Sequence, residues 1–182
     1  MKTGQVLKEF SVKSGHKIVL RTPRWEDLDD MLELINSIVD EGAEIGRDEK
    51  VSREGEIDWL SGLLARLERG KTFFLVAEVK GRIVASSDIN RQTGFQKHVG
   101  VAGIVIRKDF RELGIGTAMI RVLIEQARKM GMKVLTLTAF ASNKRAIHVY
   151  EKAGFVQTGL IPKKLLKQGK YIDEVIMTKL LE

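Results

Sequence analysis

The chain has no cysteine, two prolines and three histidines, and aromatic residues make up only 6% of its 182 positions. Each shortage removes a class of function. Without cysteine there is no disulfide framework, no thiolate nucleophile and no thiolate metal site. His16, His98 and His148 are scattered with no metal-ligand spacing, so no metal is expected. Pro23 and Pro162 stand alone, and no Pro- or Ser-rich linker divides the chain. No apolar run approaches the roughly 18 residues that cross a bilayer, and the opening MKTGQVLKEF lacks a signal peptide's apolar segment. The expectation is a soluble, cytoplasmic protein of one domain over 1–182, with its core at 16–181.

What is present is ordinary globular material, 43% hydrophobic and 30% charged, with a net charge of +7. The charge is unevenly spread. From Asp40 to Asp58, eight acidic residues face three basic ones, a local balance of −5 that leaves +12 for the rest. The basic remainder points to a polyanionic partner. The acidic segment reads either as a solvated loop or as a surface for a second, cationic ligand.

Hydrophobic periodicity gives the elements. His16–Arg21 reads as a strand. Thr22-Pro23 then predicts a helix cap with proline at the first helical position, opening a helix through Trp25, Leu28, Met31, Leu32, Ile35, Ile38 and Val39. A second amphipathic helix carries Ile57, Leu60, Leu64 and Leu67. Phe73–Val79 and Arg82–Ile89 form strands around Lys80-Gly81, a two-residue turn suited to a tight hairpin. Val99–Ile106 is a strand interrupted by Gly100 and Gly103, which predict a bulge or a close backbone approach. A helix follows Gly114 and ends at Gly131. Val134–Phe140 is a strand, Asn143 caps a helix to Ala153, and Phe155–Ile161 and Lys170–Leu180 close the chain as strands. The order is β-α-α-β-β-β-α-β-α-β-β.

A strand, a turn holding Gly114 and Gly116, and a helix together make an anion site, because free N–H groups and the positive helix end converge there. The ATP-type loop is excluded, since no Lys-Ser or Lys-Thr follows the glycines. The dinucleotide pattern is excluded too: Met119 stands where its third glycine would be, and Lys129–Lys133 lie where its acidic residue would be.

The run Arg111-x-x-Gly114-x-Gly116, and downstream Asn143-x-x-Ala146-x-x-x-Tyr150-Glu151-Lys152-Ala153-Gly154-Phe155, resemble the two signature segments of the GNAT superfamily of acetyl-CoA-dependent N-acetyltransferases. The resemblance, with the closing strand from Gly169, covers roughly residues 16–181. It implies an α/β (α+β) fold with a mixed, mostly antiparallel central sheet flanked by helices. In that fold the sheet splays between 99–106 and 134–140, and the acyl-pantetheine lies in the gap. It further implies that backbone groups of Ile104, Val105 and Ile106 meet the pantetheine. N–H groups of Glu112, Leu113, Gly114, Ile115, Gly116 and Thr117 would hold the pyrophosphate with Arg111, and Asn143, Ala146 and Tyr150 would line the cofactor from the second segment. Arg107, Lys108, Lys144 and Arg145 are candidates for steering.

The same resemblance makes Tyr150 the acid that protonates the departing thiolate. A phenol near pKa 10 keeps its proton at neutral pH, and a thiol near 8.5 is a moderate leaving group. The base is less marked, because many relatives carry a carboxylate on the strand before the glycine turn and 99–106 has none. His98 is the candidate from its pKa, with Asp88, Asp173 and Glu174 as alternatives. A weak base favours an amine of low pKa. The activity implied is acetyl transfer from acetyl-CoA by direct attack of a primary amine of a peptide, polyamine, amino acid or amino-sugar, a cationic acceptor being favoured. The enzyme would be a monomer or homodimer. Two other readings stay open: a non-catalytic CoA-binding module, and a basic nucleic-acid binder, which the low aromatic content disfavours.

Overall fold

The computed structural model describes residues 2–12 and 15–181; Met1, Lys13, Ser14 and Glu182 lie outside the described residues. Eight strands and four α-helices follow one another as β1 (Val6–Ser11), β2 (Lys17–Arg21), α1 (Leu28–Asp40), α2 (Arg53–Glu68), β3 (Thr72–Val79), β4 (Arg82–Arg91), β5 (Val99–Ile106), α3 (Ile115–Lys129), β6 (Val134–Phe140), α4 (Lys144–Lys152), β7 (Val156–Lys167) and β8 (Lys170–Leu180). The strands form a single sheet in the order β1-β2-β3-β4-β5-β6-β8-β7. Every pair is antiparallel except β5 with β6.

Apolar side chains bury on both faces. One face packs α3 and α4 over residues such as Phe73, Leu75, Leu135 and Met177. The other packs α1 and α2 over Phe74, Val76, Ile83 and Val105, all on β3–β5. Lys80 and Gly81 both have positive φ, 50° and 80°, which makes the β3–β4 hairpin the two-residue turn expected.

Four expectations need correction. The leader strand β1 is missed by the periodicity, since VLKEFS alternates too weakly; it pairs with β2 through register contacts from Val6↔Arg21 to Ser11↔Lys17. Thr22 does not cap a helix. Its hydroxyl oxygen accepts from the Gln5 N–H and its hydroxyl donates to the Lys2 carbonyl, and α1 starts only at Leu28 after one 3-10 turn. That turn is held by Asp27, which accepts a fork from the buried Arg21 at 2.7 Å in each branch and a third bond from the Arg24 N–H. Strand β7 runs beyond Ile161 to Lys167, through a register shift that absorbs Pro162, which an edge strand tolerates. Finally, β4 and β5 pair without any register shift, so no bulge interrupts β5. Gly100 is required by space: a Cβ there would lie 2.5 Å from Met132 Sδ and 2.8 Å from Ile89.

Candidate active site

Strands β5 and β6 pair only from Val99↔Val134 to Val101↔Thr136. Beyond that point each keeps its outer neighbour, β5 with β4 as far as Ile106 and β6 with β8 as far as Phe140, but they no longer bond to one another. The edge of β5 from Ala102 to Ile106 therefore presents backbone without a strand partner on the β6 side, as the resemblance implied for Ile104, Val105 and Ile106. The Ile106 carbonyl is an exception, because it accepts from Arg111 Nε at 2.9 Å.

The open edge leads into the glycine turn. Ala118 is the first residue of α3 whose N–H finds a carbonyl behind it, that of Gly114 at 3.0 Å, so the N–H groups of Ile115, Gly116 and Thr117 precede the ladder. Gly114 has φ 81°, and Glu112 reaches φ 64° without being glycine, a conformation costing about 1 kcal/mol. Leu113 is half-buried against the core. A Cβ on Gly116 would sit 3.2 Å from Ile106 Cδ1, so a side chain there must push the open strand's Ile106 aside. Gly116→Val is expected to weaken acetyl-CoA binding by at least about tenfold, or 1.4 kcal/mol, in calorimetry, with the circular dichroism unchanged.

The arginine of this turn is not free. Besides bonding Ile106, Arg111 forms a fork with Glu41 at the end of α1, the Nη2–Oε2 arm at 2.7 Å. Glu44 accepts from the Ser142 hydroxyl at 2.5 Å, just past β6. The loop between α1 and α2 thus reaches both arms of the splay, and a reciprocal pair between Asn36 and Val51 fixes its far end. Half of the acidic segment's puzzle is answered by these contacts, with Asp40 held by Lys50 at 2.8 Å. Glu112 faces Arg145 at 3.3 Å, and Arg107 turns under α1 toward Glu33 at 3.2 Å, away from the glycine turn. Because Glu41 occupies the guanidinium that a pyrophosphate would use, Glu41→Gln is expected to tighten acetyl-CoA binding two- to fivefold, as exposed ion pairs are worth at most about 1 kcal/mol. Unchanged affinity in a titration at low salt would refute that competition.

Across the splay, Asn143 caps α4 by accepting from the Ala146 N–H at 3.1 Å, and Ala146 packs on the core cluster that holds Tyr150. Tyr150 is 7% exposed and lies against Phe155 with ring centroids 6.1 Å apart. Burial pushes its hydroxyl up to about 12. The hydroxyl bonds to none of the described residues, yet it is not among the fully enclosed polar atoms.

His98 stands apart from this set. It is exposed in the turn before β5, and its carbonyl accepts from the Lys133 and Val134 N–H groups at 2.8 and 3.2 Å, where the two strands are zipped. Five residues of extended chain, about 17 Å at about 3.3 Å per residue, separate it from Gly103. The structure instead puts Asp88 of β4 directly opposite Gly103. Asp88 Oδ1 lies 3.0 Å from where a Gly103 Cβ would be, so the missing side chain makes room for the carboxylate. Burial pushes Asp88 up to about 6, against the Asn90 amide that donates to it. Phe74 is its register neighbour on β3, and Trp59 of α2 meets Phe74 edge-on at 5.4 Å. Of the other carboxylates, Asp173 is spent on the Lys163 N–H at 2.8 Å, and Glu174 sits opposite Phe140 on β8. Sequence reasoning had Asp88 only as an alternative; the signal was the lone carboxylate of the strand that follows the Lys80-Gly81 turn.

A sheet splayed around a glycine-turn anion site, with a tyrosine on one arm and a carboxylate on the other, defines an acyltransferase of the CoA-thioester kind. Residues 28–155 match the acetyltransferase (GNAT) family, and the chain belongs to it, with acetyl-CoA as co-substrate. It is 26% identical over 160 residues to the L-amino acid N-acyltransferase MnaT of Escherichia coli, a match covering 87% of this chain and 91% of that one. It is 24% identical over 153 residues to an L-methionine sulfoximine/L-methionine sulfone acetyltransferase of Pseudomonas paraeruginosa, covering 83% and 87%. Among solved structures, a GNAT-family acetyltransferase from Streptococcus pneumoniae superposes with a TM-score of 0.81 at 25% identity, over 91% of this chain and 99% of that one. The YncA protein of Salmonella typhimurium, solved with acetyl-CoA, gives 0.80 at 22% identity over 91% and 94%.

Proposed function

We propose that this N-acetyltransferase acts on the α-amino group of an amino acid or of a chain's N-terminus, with Asp88 as base and Tyr150 as acid. The observation that supports it is the carboxylate raised to about 6 beside Gly103, on the open strand and next to the Trp59–Phe74 ledge. Such a base is well matched to an α-amine near pKa 7.7 to 8.0 and poorly matched to a lysine amine near 10.4. Two amino-acid-acetylating relatives favour the same class.

Acetyl-CoA, when bound, supplies an acetyl group on a thioester. The residues of this chain do the rest. The open edge of β5 orients the donor, the N–H groups of 115–117 hold its phosphates, and Lys108 and Lys144 add to the attraction. As the amine nitrogen bonds to the acetyl carbon, Asp88 takes its proton, directly or through a water. As the carbon–sulfur bond breaks, the sulfur takes the Tyr150 proton, and solvent restores both groups. The aromatic ledge favours acceptors with apolar side chains.

A thiol-release screen tests this reading with free L-amino acids, a short peptide with a free N-terminus, a polyamine, an amino-sugar and Nα-blocked lysine. Turnover is expected on α-amines and not on blocked lysine. Turnover confined to the polyamine or blocked lysine overturns it.

A further inference from the structure

The buried stripe of α2 consists of Glu56, Leu60, Leu63 and Leu67. Three leucines at this spacing pack an amphipathic helix onto its sheet, but a carboxylate in the first place of the stripe does not. Glu56 is only 5% exposed, and it forms no hydrogen bond or ion pair among the described residues. Burial pushes its carboxyl up, and Arg47 of the α1–α2 loop attracts it without closing a pair. Capping does not account for it, since Ser52 caps α2 by accepting from the Gly55 N–H at 3.1 Å. Neither carboxylate oxygen is fully enclosed, so the group opens onto space that a ligand can enter. A buried carboxylate without a partner weakens a fold, and such groups belong to sites that a ligand completes.

The space it opens onto lies beside the base. Soon after α2 ends, β3 begins at Thr72, opposite Asn90 and, through it, Val101, where β5 and β6 are still paired. The start of α2 therefore lies toward the open end of the splay, and helix side chains lean toward the N-terminus. Trp59 follows Glu56 by three positions, which makes the two neighbours on the helix surface. Its ring, 39% exposed, meets Phe74 edge-on at 5.4 Å, and Phe74 stands opposite Asp88. Asp88, the two rings and Glu56 thus follow one another, an aromatic ledge with a carboxylate at each side.

We propose that Glu56 is a cation subsite of the acceptor site, and that the preferred acceptor is a basic amino acid, free or at the start of a chain, acetylated on its α-amine. The inference rests on the α-amine reading with Asp88 as base. The α-amine faces Asp88, the methylene stem lies along the Trp59–Phe74 ledge, and the terminal ammonium or guanidinium pairs with Glu56. The ledge keeps its taste for apolar surface, because the stem is what it touches. Two unlike carboxylate settings also sort the two nitrogens of such a ligand. Pairing with Glu56 favours the charged form of the distal group and holds its proton, so it cannot attack, while the α-amine is the one that Asp88 can deprotonate.

Thiol-release kinetics of the full chain with acetyl-CoA test the inference on isosteric pairs: L-lysine against L-norleucine, L-arginine against L-citrulline, and the dipeptide Lys-Ala against norleucyl-alanine. The basic member of a pair should show a KM lower by about tenfold at similar kcat, with mass spectrometry placing the acetyl group on the α-nitrogen. The dipeptide pair tells a free amino acid from a chain start. In Glu56→Gln the preference should vanish through KM, with the norleucine constants within about twofold of the parent's. Glu56→Asp should keep part of it. Glu56→Gln removes a buried charge, so it should melt no lower than the parent at pH 8. α-Amines turned over without preference for the basic member, or a preference that survives Glu56→Gln, overturn the subsite and leave the α-amine reading standing. Turnover on the polyamine or blocked lysine alone overturns both.

Discussion

Asp88→Asn should lower kcat/KM on an α-amine acceptor by about 10²- to 10⁴-fold, the range a positioned base contributes. Acetyl-CoA affinity should hold, since Asp88 lies on the face of α1 and α2 and not beside the glycine turn. Two further readouts separate a base from a merely structural carboxylate. With Asp88 raised to about 6, the parent's rate should climb as pH rises through 6, and the asparagine variant should lose that limb. Stability should move the other way. The unfolded chain ionises Asp88 near 3.8 while the folded chain keeps the proton until about 6, so stability falls as pH rises between those values and the deficit persists above them. Asp88→Asn should therefore raise the melting temperature at pH 8 and change it little at pH 4. Glu174→Gln serves as the control on the other arm and should leave the pH limb in place; loss of the limb there instead would transfer the role to β8.

That an engaged carboxylate could be read only in three dimensions follows from what pairs with it. The two signature segments are local, so the glycine turn, the cap at Asn143 and the tyrosine one helix face later were legible as spacing. Asp88 acquires meaning only because β4 and β5 align it with Gly103, and a glycine in a strand could equally mean a bulge. His98 is the mirror case: it stands at the start of the right strand, but at the end where β5 and β6 are paired. Thr22-Pro23 carried a sound local cap signal, but the Thr22 hydroxyl is spent on the leader segment and Asp27, forked by the buried Arg21, holds the turn from which α1 starts. The +7 pointed correctly to a polyanion. The −5 segment divides into Glu41, Glu44 and Asp40, which staple the loop across the splay, and Asp48 and Glu49, which stay unspent. The stapled loop also packs Ala43 and Ile45 on the cluster that holds Phe74.

Tyr150→Phe should cost about a hundredfold in kcat, the low end of acid catalysis, because a thiolate of pKa near 8.5 departs without much help. The substitution keeps the ring against Phe155 and removes a hydroxyl that has no partner among the described residues, so the fold should be at least as stable as the parent's. Binding of acetyl-CoA should change by less than about threefold, since the anion turn lies on the other arm of the splay. With its hydroxyl at about 12, Tyr150 stays protonated across the working range, and no fall in rate should appear on the alkaline side below about pH 11. Varying the leaving group sharpens the test. A thioester whose thiol is more acidic needs its proton less, so the deficit of the phenylalanine variant should shrink with such donors, whereas a packing role would leave the deficit constant. An unchanged kcat with acetyl-CoA would remove Tyr150 from the reaction and return it to the core.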